Sequence, residues 1–524
     1  MHFPFFDLTD VCKGPEQVEE KLKFIDFNED SLKLDTNTII IGNGPAGISL
    51  SAMLDGWHPF YNNSNPHPNP HIHQQFSSKE NKSLLFQDLT SAATLLNLSE
   101  QNVSNSTPFG SLYDSLTRQP SIENNKINKS SILWKNISNN FVVKHIVLGN
   151  TTIGGSWTEF EDEIKAVSIN NWMNLPGYSL ADDFLGNPNL NDQRPTANIF
   201  KNYLIKYCKE MGILKNFRPN TKVLKIKKKF NGENYWEVNG INLINNENFI
   251  LRCKNLVLAC GKNKQRKLEF INNSKLIVYN LNSLKYCISN TKTQNHPVIV
   301  VGDGISAADS IICALERNCQ VLHIIKRSDK QLKNIMLASL SPLVYPEYAQ
   351  VFEIMTGQKI EAKYKRLTET TINNVFDNEI ELNTPGGIIK EQFRCLSICI
   401  GRHTEFSLLE ENKNLEQFQN YCSINDSSLF ALGAMIGDNF VRYLVGGALC
   451  VAQTLILRNN LTTKTIRQPF QVLFNKNKRI EEESCFCCYK KKRRQNSKEK
   501  LKLFLRTNSA TTTLINTKIV KKII

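Results

Sequence analysis

The chain has 524 residues, of which 41% are hydrophobic and 22% charged, and its formal net charge at neutral pH is +15. This length allows two or three domains, and the composition is that of a globular protein. The charge is unevenly distributed, because residues 485–524 contain twelve Lys or Arg and one Glu, which leaves +4 for all other residues. The excess belongs to a tail and not to a folded face, so no nucleic-acid partner is expected.

The sequence carries no clear signal for membrane insertion, secretion or metal binding. No apolar run reaches the roughly 18 residues that a membrane-spanning helix needs, and residues 1–7 lack the basic start and apolar stretch of a secretory signal. The fourteen cysteines are scattered, and the C-x-x-C pair Cys485 and Cys488 has no second pair or histidine nearby. This usage is typical of reduced thiols, so we expect a cytoplasmic protein without a metal site.

The first motif follows a lead-in of about 35 residues. A β-branched run at 38–41 leads into a G-x-G-x-x-G turn and a helix predicted to end near residue 54, which is the context of a dinucleotide fingerprint. Its first glycine permits a tight turn, the second lets the backbone approach a pyrophosphate, and the third lets helix and strand pack closely. The candidate binding residues of this first fingerprint are Gly42, Gly44, Pro45, Ala46 and Gly47.

The stretch that follows is less regular. Residues 57–130 are rich in Asn, Ser, Pro and His, and we interpret them as a loop insertion with one helix near 84–98. A buried strand is predicted at 141–148, and residues 147–150 lack the acid that would bind a ribose hydroxyl in this fold. The next predicted elements are a helix at 197–211, strands near 221–227 and 235–238 joined by a turn at 231–232, and a strand at 256–261.

A second fingerprint begins after another β-branched run, at 298–301. Its candidate binding residues are Gly302, Gly304, Ser306 and Ala307. A helix at 307–317 and a strand at 321–325 follow, and then Lys326 and Arg327 occupy the position where an acid would bind a ribose hydroxyl. A basic pair there suits a 2′-phosphate and favours NADP(H) over NAD(H), unless both are ordinary solvated charges at a strand end.

The remaining elements complete the pattern. Strands at 396–400 and 429–432 each end in glycine, and a helix at 447–457 closes the folded part. Strands that alternate with helices in this way indicate parallel sheets with helices on both faces.

Five further segments stand out: residues 154–157 (GGSW), 171–176 (NWMNLP), 304–309 (GISAAD), 343–348 (LVYPEY) and 436–442 (IGDNFVR). They resemble the oxidative stress-induced growth inhibitor family, which is related to the flavin-containing monooxygenases. The resemblance spans about residues 36–458 and implies an α/β fold with two Rossmann-like dinucleotide-binding domains of the flavin monooxygenase or disulfide reductase type. It also implies FAD at the first fingerprint and NADPH at the second, with Gly154, Gly155 and Trp157 against the flavin and Asp438 at its ribityl or pyrophosphate end. The alternative for Trp157 and Trp172 is that both are core aromatic residues, and for Trp172 this interpretation is at least as good as a role at the cofactor.

The resemblance and the elements together divide the chain into five parts. These are a lead-in (1–35), the first part of the FAD-binding domain (36–292, with the insertion at 57–130), the NADPH-binding domain (293–394), the second part of the FAD-binding domain (395–465) and a basic tail predicted to be disordered (466–524).

The implied function is that of an FAD- and NADPH-dependent monooxygenase linked to regulation of cell growth and death, acting on a small molecule that the sequence does not identify. Catalytically active flavin-containing monooxygenases carry a histidine in the segment before the second fingerprint, whereas the corresponding residues 276–281 of this chain have none. The alternative is therefore a protein with weak or no turnover that acts through protein partners. A disulfide reductase would need a cysteine pair after the first fingerprint, and none is present there.

The tail has three interpretations. Cysteines at 485–488 beside the basic run 490–494 are typical of an acylated segment held at an anionic membrane surface. The basic run alone is typical of a nuclear-import signal. A solvated tail without a targeting role is the third interpretation.

Overall fold

A computed structural model describes residues 34–463, with gaps at residue 80 and at 100–106, 119–129, 138–140, 269–273, 292–294 and 410–414. The predictions for the lead-in up to residue 33, for Cys485 and Cys488 and for the basic run at 490–494 lie outside the described residues.

The strands, numbered in chain order, form two parallel sheets and several small antiparallel ones. They are β1 (Thr36–Ile41), β2 (Trp57–Tyr61), β3 (Ile132–Asn136), β4 (His145–Leu148), β5 (Phe217–Arg218), β6 (Thr221–Asn231), β7 (Glu233–Asn242), β8 (Asn248–Leu258), β9 (Lys264–Gln265), β10 (Ile277–Val278), β11 (Val298–Val301), β12 (Val321–Ile324), β13 (Tyr364–Leu367), β14 (Thr371–Val375), β15 (Glu379–Thr384), β16 (Gly387–Gln392), β17 (Cys395–Ile398), β18 (Arg402–His403), β19 (Phe418–Gln419), β20 (Cys422–Ser423) and β21 (Leu429–Ala431).

The helices cover the faces of the sheets. They are α1 (Pro45–Leu54), α2 (Pro70–Ser77), α3 (Leu89–Ser99), α4 (Pro108–Thr117), α5 (Ala197–Glu210), α6 (Leu281–Asn290), α7 (Ile305–Glu316), α8 (Asp329–Leu332), α9 (Pro346–Thr356) and α10 (Val441–Thr463). Short 3₁₀ turns lie at Leu84–Phe86, Gly155–Thr158, Asn170–Met173, Pro188–Leu190, Leu214–Asn216, Met336–Ser339 and Gly433–Ile436, and a π-helical turn lies at Leu180–Phe184.

The first sheet has the order β19-β20-β21-β8-β1-β4-β5, in which β21, β8, β1, β4 and β5 run parallel. The β6–β7 hairpin joins it through β7 and β8, and it turns at Gly232 as predicted. From β1 the chain crosses to β4 on one side, while β8 lies on the other. The crevice of such a sheet therefore lies at the carboxyl ends of β1 and β8.

The second sheet has the order β10-β17-β11-β12-β13, and all its strands are parallel. This order corrects two predicted boundaries. The strand β17 was assigned to the second part of the first domain and β10 to its first part, yet β17 pairs with both β10 and β11. The strand pairing therefore places residues 277–278 and 395–398 in the second domain.

Two short strands lie on the passages of the chain between the two sheets. β9 follows the first sheet and β18 follows the second, and they pair antiparallel, with Arg402 opposite Gln265 and His403 opposite Lys264. The two passages of the chain between the domains therefore run side by side.

The predicted loop insertion at 57–130 is wrong in large part: α3 matches the helix predicted near 84–98, but the described residues also include β2, α2 and α4. The Asn and Pro residues that suggested loop are helix starts: the side chain of Asn69 accepts from the first turn of α2, and Pro70 and Pro108 are first-turn residues. The buried side chains of Phe76 and Leu112 extend the core of the first domain.

The expectation that no segment is apolar enough for a membrane span is also wrong. Residues Val441–Asn460 of α10 have a mean hydropathy of 1.3 and few charges, and 67% of that stretch is buried in the structure. Such burial is typical of a core helix, and Val445, Leu449 and Ala452 pack in the core of the first domain.

Arg194 connects a loop before α5 to α9. Its side chain is 5% exposed, its Nη1 lies 2.5 Å from Glu347 Oε1, and its Nε donates to the Ala166 carbonyl at 2.7 Å. The guanidinium also lies 4.7 Å from the ring centre of Tyr345 and 5.2 Å from that of Tyr348. A planar cation can make the ion pair and the ring contacts together. The Tyr-Pro-Glu-Tyr motif thus holds a side chain of the first domain.

We expect Arg194→Ala to lower the free energy of unfolding by about 3 kcal/mol, since it leaves Glu347 without its partner and removes the cation from both rings. Lys201→Ala is the control, because its pair with Asp162 is much more exposed and is expected to contribute under about 1 kcal/mol. Urea unfolding of both variants measures the difference. An equal loss of unfolding free energy in both variants would show that Arg194 stabilises the fold no more than an exposed ion pair does.

Candidate nucleotide-binding sites

The first fingerprint forms a tight turn against the neighbouring strand. Gly42 has φ +122°, and a Cβ there would lie 2.3 Å from the Ala259 carbonyl oxygen at the end of β8. A Cβ on Gly47 would lie 2.0 Å from the Gly42 oxygen, so helix α1 packs directly on the turn. No side chain caps the α1 N-terminus at Gly44. The first turn of α1 therefore offers backbone N–H groups at the sheet's crevice, and such N–H groups are the usual partners of anions at helix N-termini.

The Gly154-Gly155 segment lies directly on this turn. A Cβ on Gly155, which has φ +60°, would lie 2.9 Å from the Gly44 Cα, and the Gly154 N–H donates to the Asn43 carbonyl at 3.0 Å. The side-chain amide of Asn43 donates to the Thr151 and Thr152 carbonyls. Sequence reasoning missed this role of Asn43, which the fingerprint pattern treats as a free position.

The two tryptophans of the family motifs differ in their surroundings. Trp157 is half-buried and meets Phe160 and Phe200 edge-on, with ring centres 5.3 and 4.6 Å away. The guanidinium of Arg442 lies over the ring of Trp172, 4.5 Å from the centre of that ring.

Arg442, from the Gly-Asp-Asn-Phe-Val-Arg motif, also pairs with Asp114 of α4, which in turn lies 3.0 Å from Arg118 Nη1. The carboxylate of Asp114 thus lies between two cations. Through Arg442 and Trp172 this cluster joins the insertion, the 3₁₀ turn Asn170–Met173 and α10.

Asp438 follows the 3₁₀ turn Gly433–Ile436, in which Gly433 approaches Ala46 of the first fingerprint closely: a Cβ on Gly433 would lie 3.0 Å from the Ala46 Cβ. The Asp438 side chain is almost wholly buried. Its Oδ1 is 2.9 Å from Thr107 Oγ1, its Oδ2 is 3.0 Å from the Tyr421 hydroxyl, and the two hydroxyl oxygens are 2.5 Å apart.

These three oxygen contacts form a ring, and the ring needs three protons. Thr107 and Tyr421 supply one each, so an ionised Asp438 leaves one contact without hydrogen. With a protonated Asp438, each group donates to the next and every contact is a hydrogen bond. Burial raises the pKa of Asp438 to about 6, in the same direction. Both carboxyl oxygens are thus already bound within the protein.

A cavity of about 360 Å³ adjoins this ring. Its walls are Thr107, Pro108, Phe109, Phe406, Glu416, Phe418, Asn420, Tyr421, Met435 and Ile436. Three phenylalanines form part of its wall, and the polar residues Thr107, Glu416, Asn420 and Tyr421 form another part.

The second fingerprint repeats the construction of the first. Gly302 has φ +119°, and a Cβ there would lie 2.3 Å from the Cys399 carbonyl oxygen, just after β17. Gly304 begins α7 without a side-chain cap, and a Cβ added there would meet nothing within 4 Å. Ala307 is fully buried against the sheet, whereas Ser306 is exposed.

The basic pair lies just beyond β12, near this turn. Lys326 and Arg327 are both exposed, and Arg327 forms an ion pair with Asp303 inside the fingerprint. The structure thus brings Arg327 to the turn of the second fingerprint, where Asp303 is a carboxylate partner that the sequence analysis did not consider.

The segment that lacks the monooxygenase histidine has a structural role of its own. The side chain of Asn280 accepts from the Ser283 N–H at 2.8 Å and caps α6, and Tyr279 packs against the apolar cluster of the second sheet. Among the described residues, no group of three His, Cys, Asp or Glu is arranged to hold a metal ion.

Comparisons with known proteins agree with this architecture. The family described as pyridine nucleotide-disulphide oxidoreductase matches residues 137–429. The oxidative stress induced growth inhibitor homolog of Caenorhabditis elegans is 36% identical over 457 residues, which are 83% of this chain and 98% of that protein. The chain belongs to the oxidative stress-induced growth inhibitor family. The resemblance found in the five motifs is confirmed.

Solved structures share the fold at low identity. Ornithine hydroxylase from Pseudomonas aeruginosa has a TM-score of 0.52 at 12% identity and covers 80% of this chain and 99% of its own. Bacillithiol disulfide reductase from Bacillus cereus has a TM-score of 0.51 at 12% identity, and the match covers 81% of this chain and 99% of that chain. The predicted fold class is therefore confirmed, and the family is one of flavoprotein-type oxidoreductases.

The buried carboxyl of Asp438 leads to a prediction about pH. Its pKa is raised above the unfolded value of 3.8, so the native state holds a proton that the unfolded state loses first. Between about pH 4 and 6 this group therefore lowers stability as pH rises, by about 3 kcal/mol in total.

Asp438→Asn keeps a neutral ring, because the amide donates to Tyr421 and accepts from Thr107. We expect this variant to lose less stability than the wild type between pH 4 and 8 and to unfold at a higher temperature at pH 8. Thermal unfolding across this range measures both. A variant less stable than the wild type at pH 8 would contradict the loss of stability expected from ionised Asp438.

Proposed function

We propose that the chain is an FAD- and NADPH-dependent oxidoreductase of the monooxygenase type, with FAD at the first fingerprint and NADPH at the second. The observation that carries this proposal is the repeated construction of the two turns. In each, one glycine packs against the carbonyl oxygen of the neighbouring strand. In each, the next glycine, Gly44 or Gly304, begins an uncapped helix and has no close contact in the direction of a side chain.

The residues present fit two dinucleotides. The first turns of α1 and α7 would bind the pyrophosphates through backbone N–H groups, and the missing side chains of Gly44 and Gly304 would admit the phosphate oxygens. When bound, NADPH supplies a hydride and FAD passes the electrons on, to O₂ in a monooxygenase. The chain itself would hold the two rings in register and exclude water. The Gly154-Gly155 segment, fixed to the first turn, would limit where the flavin lies.

The names of the relatives suggest the biological setting. We extend to this chain the growth inhibition under oxidative stress that their names state.

One experiment on the purified protein, reconstituted with FAD, distinguishes a monooxygenase from a regulator that binds protein partners and has no turnover. Under this proposal the protein shows a flavin absorption spectrum, is bleached by NADPH without oxygen, and consumes NADPH and O₂ in air. Bound flavin that NADPH does not reduce would favour the regulator.

Two glycine substitutions separate binding from folding. Gly304→Ala is expected to leave the fold unchanged, since φ is ordinary and the added methyl meets no protein atom, and to weaken NADPH binding at least about tenfold by blocking the phosphate. Gly44→Ala should do the same to FAD. Gly302→Ala is the contrasting variant, expected to destabilise the domain itself. Thermal unfolding and cofactor titration check all three, and normal NADPH affinity in Gly304→Ala would refute the assigned phosphate position.

Arg327 is expected to set the preference for NADPH. Arg327→Ala should weaken NADPH binding about tenfold and change NADH binding less than about twofold, because only NADPH carries the 2′-phosphate. Asp303→Asn is the matched control, since it releases the same guanidinium from its ion pair and should not weaken NADPH binding. Titrations with both nucleotides measure the ratio. Parallel losses for NADPH and NADH would remove Arg327 from the 2′-phosphate site.

A further inference from the structure

We propose that His323 and Tyr364 are positioning residues of the second nucleotide site. They lie beneath the phosphate-binding turn, outside both fingerprints, and fix the carbonyl group of Gly302. This inference rests on the proposed binding of NADPH at that turn and adds the residues that keep the turn in its binding shape.

The contacts are direct. His323 is wholly buried in β12; its Nε2 lies 2.5 Å from the Gly302 carbonyl oxygen and its Nδ1 lies 2.7 Å from the Tyr364 hydroxyl. The Gly302 N–H donates to the Ile324 carbonyl at 3.1 Å. Both Gly302 backbone polar groups are therefore bound by adjacent residues of one strand.

The protonation states of His323 and Tyr364 fix which group donates in each of these hydrogen bonds. Burial lowers the pKa of His323 to about 4, so the ring is neutral at physiological pH and carries a single N–H. A carbonyl oxygen can only accept, so that hydrogen is on Nε2, and Nδ1 accepts from Tyr364. Burial also raises the pKa of Tyr364, so its hydroxyl stays protonated and able to donate.

The first site lacks this arrangement. Strand register makes Val147 the counterpart of His323, because Ile40 pairs with Val147 just as Val300 pairs with His323. A Rossmann turn therefore forms without a buried histidine. At the second site, the imidazole holds the Gly302 carbonyl toward the sheet, so the N–H groups at the start of α7 stay available for an anion.

The test compares four variants of the full-length protein reconstituted with FAD. His323→Leu leaves a buried carbonyl without its donor and is expected to weaken NADPH binding about tenfold. His323→Gln can donate through its amide and should recover most of the affinity, while Tyr364→Phe should fall between them. The control is His145→Leu, which removes a buried histidine of β4 that bonds to Ser51 and the Val143 carbonyl, away from either turn.

NADPH fluorescence titration gives the affinity, the visible spectrum gives the flavin content, and thermal unfolding gives the stability. The proposal expects His323→Leu to lose NADPH affinity at normal flavin content, and His145→Leu to lose stability alone. Normal NADPH affinity in His323→Leu, or an equal loss in His145→Leu, would overturn it. A wild-type protein that binds no NADPH would instead overturn the proposed function, and this inference with it.

Discussion

The close approach of a glycine to the carbonyl oxygen of the adjoining strand is the constraint on which both domains depend. Gly42 meets the Ala259 carbonyl and Gly302 meets the Cys399 carbonyl, and in each case an added Cβ would be 2.3 Å from the oxygen. Any side chain there would separate the first strand from its neighbour at the carboxyl edge. With glycine in place, the chain reverses within a few residues, and the helix that follows begins above the crevice. The geometry of both fingerprint turns thus follows from packing within each sheet.

Two arginines carry the next level of organisation. Arg194 lies between Glu347 and two tyrosines of the second domain, and Arg442 lies between Asp114 and Trp172 of the first. Each joins segments far apart in sequence, and each combines an ion pair with contact to an aromatic face. Residues of the family motifs at 343–348 and 436–442 therefore have packing contacts outside the two glycine fingerprints.

Much of the fold could be predicted, because buried parallel strands and their glycine turns have strong local patterns. The helix Pro45–Leu54, the hairpin that turns at Gly232 and both fingerprints lie as expected. The insertion was misjudged because its Asn and Pro residues are helix caps, and caps resemble loops when the apolar spacing behind them is sparse. Strand β17 was misassigned because strand order is decided by pairing, which a local pattern does not reveal.

Parts of the site could not be predicted because they join distant residues. The ring of Thr107, Tyr421 and Asp438 brings together three separate segments, and nothing in the spacing of those residues marks it. The same holds for His323, which looks like one more residue of a buried strand until the Gly302 carbonyl is found beside it.

The paired connectors β9 and β18 have a mechanical consequence. Two adjacent strands act as a single hinge, so rotation of one domain against the other is easiest about the axis of the β9–β18 pair. The contacts of Arg194 with the second domain oppose that rotation.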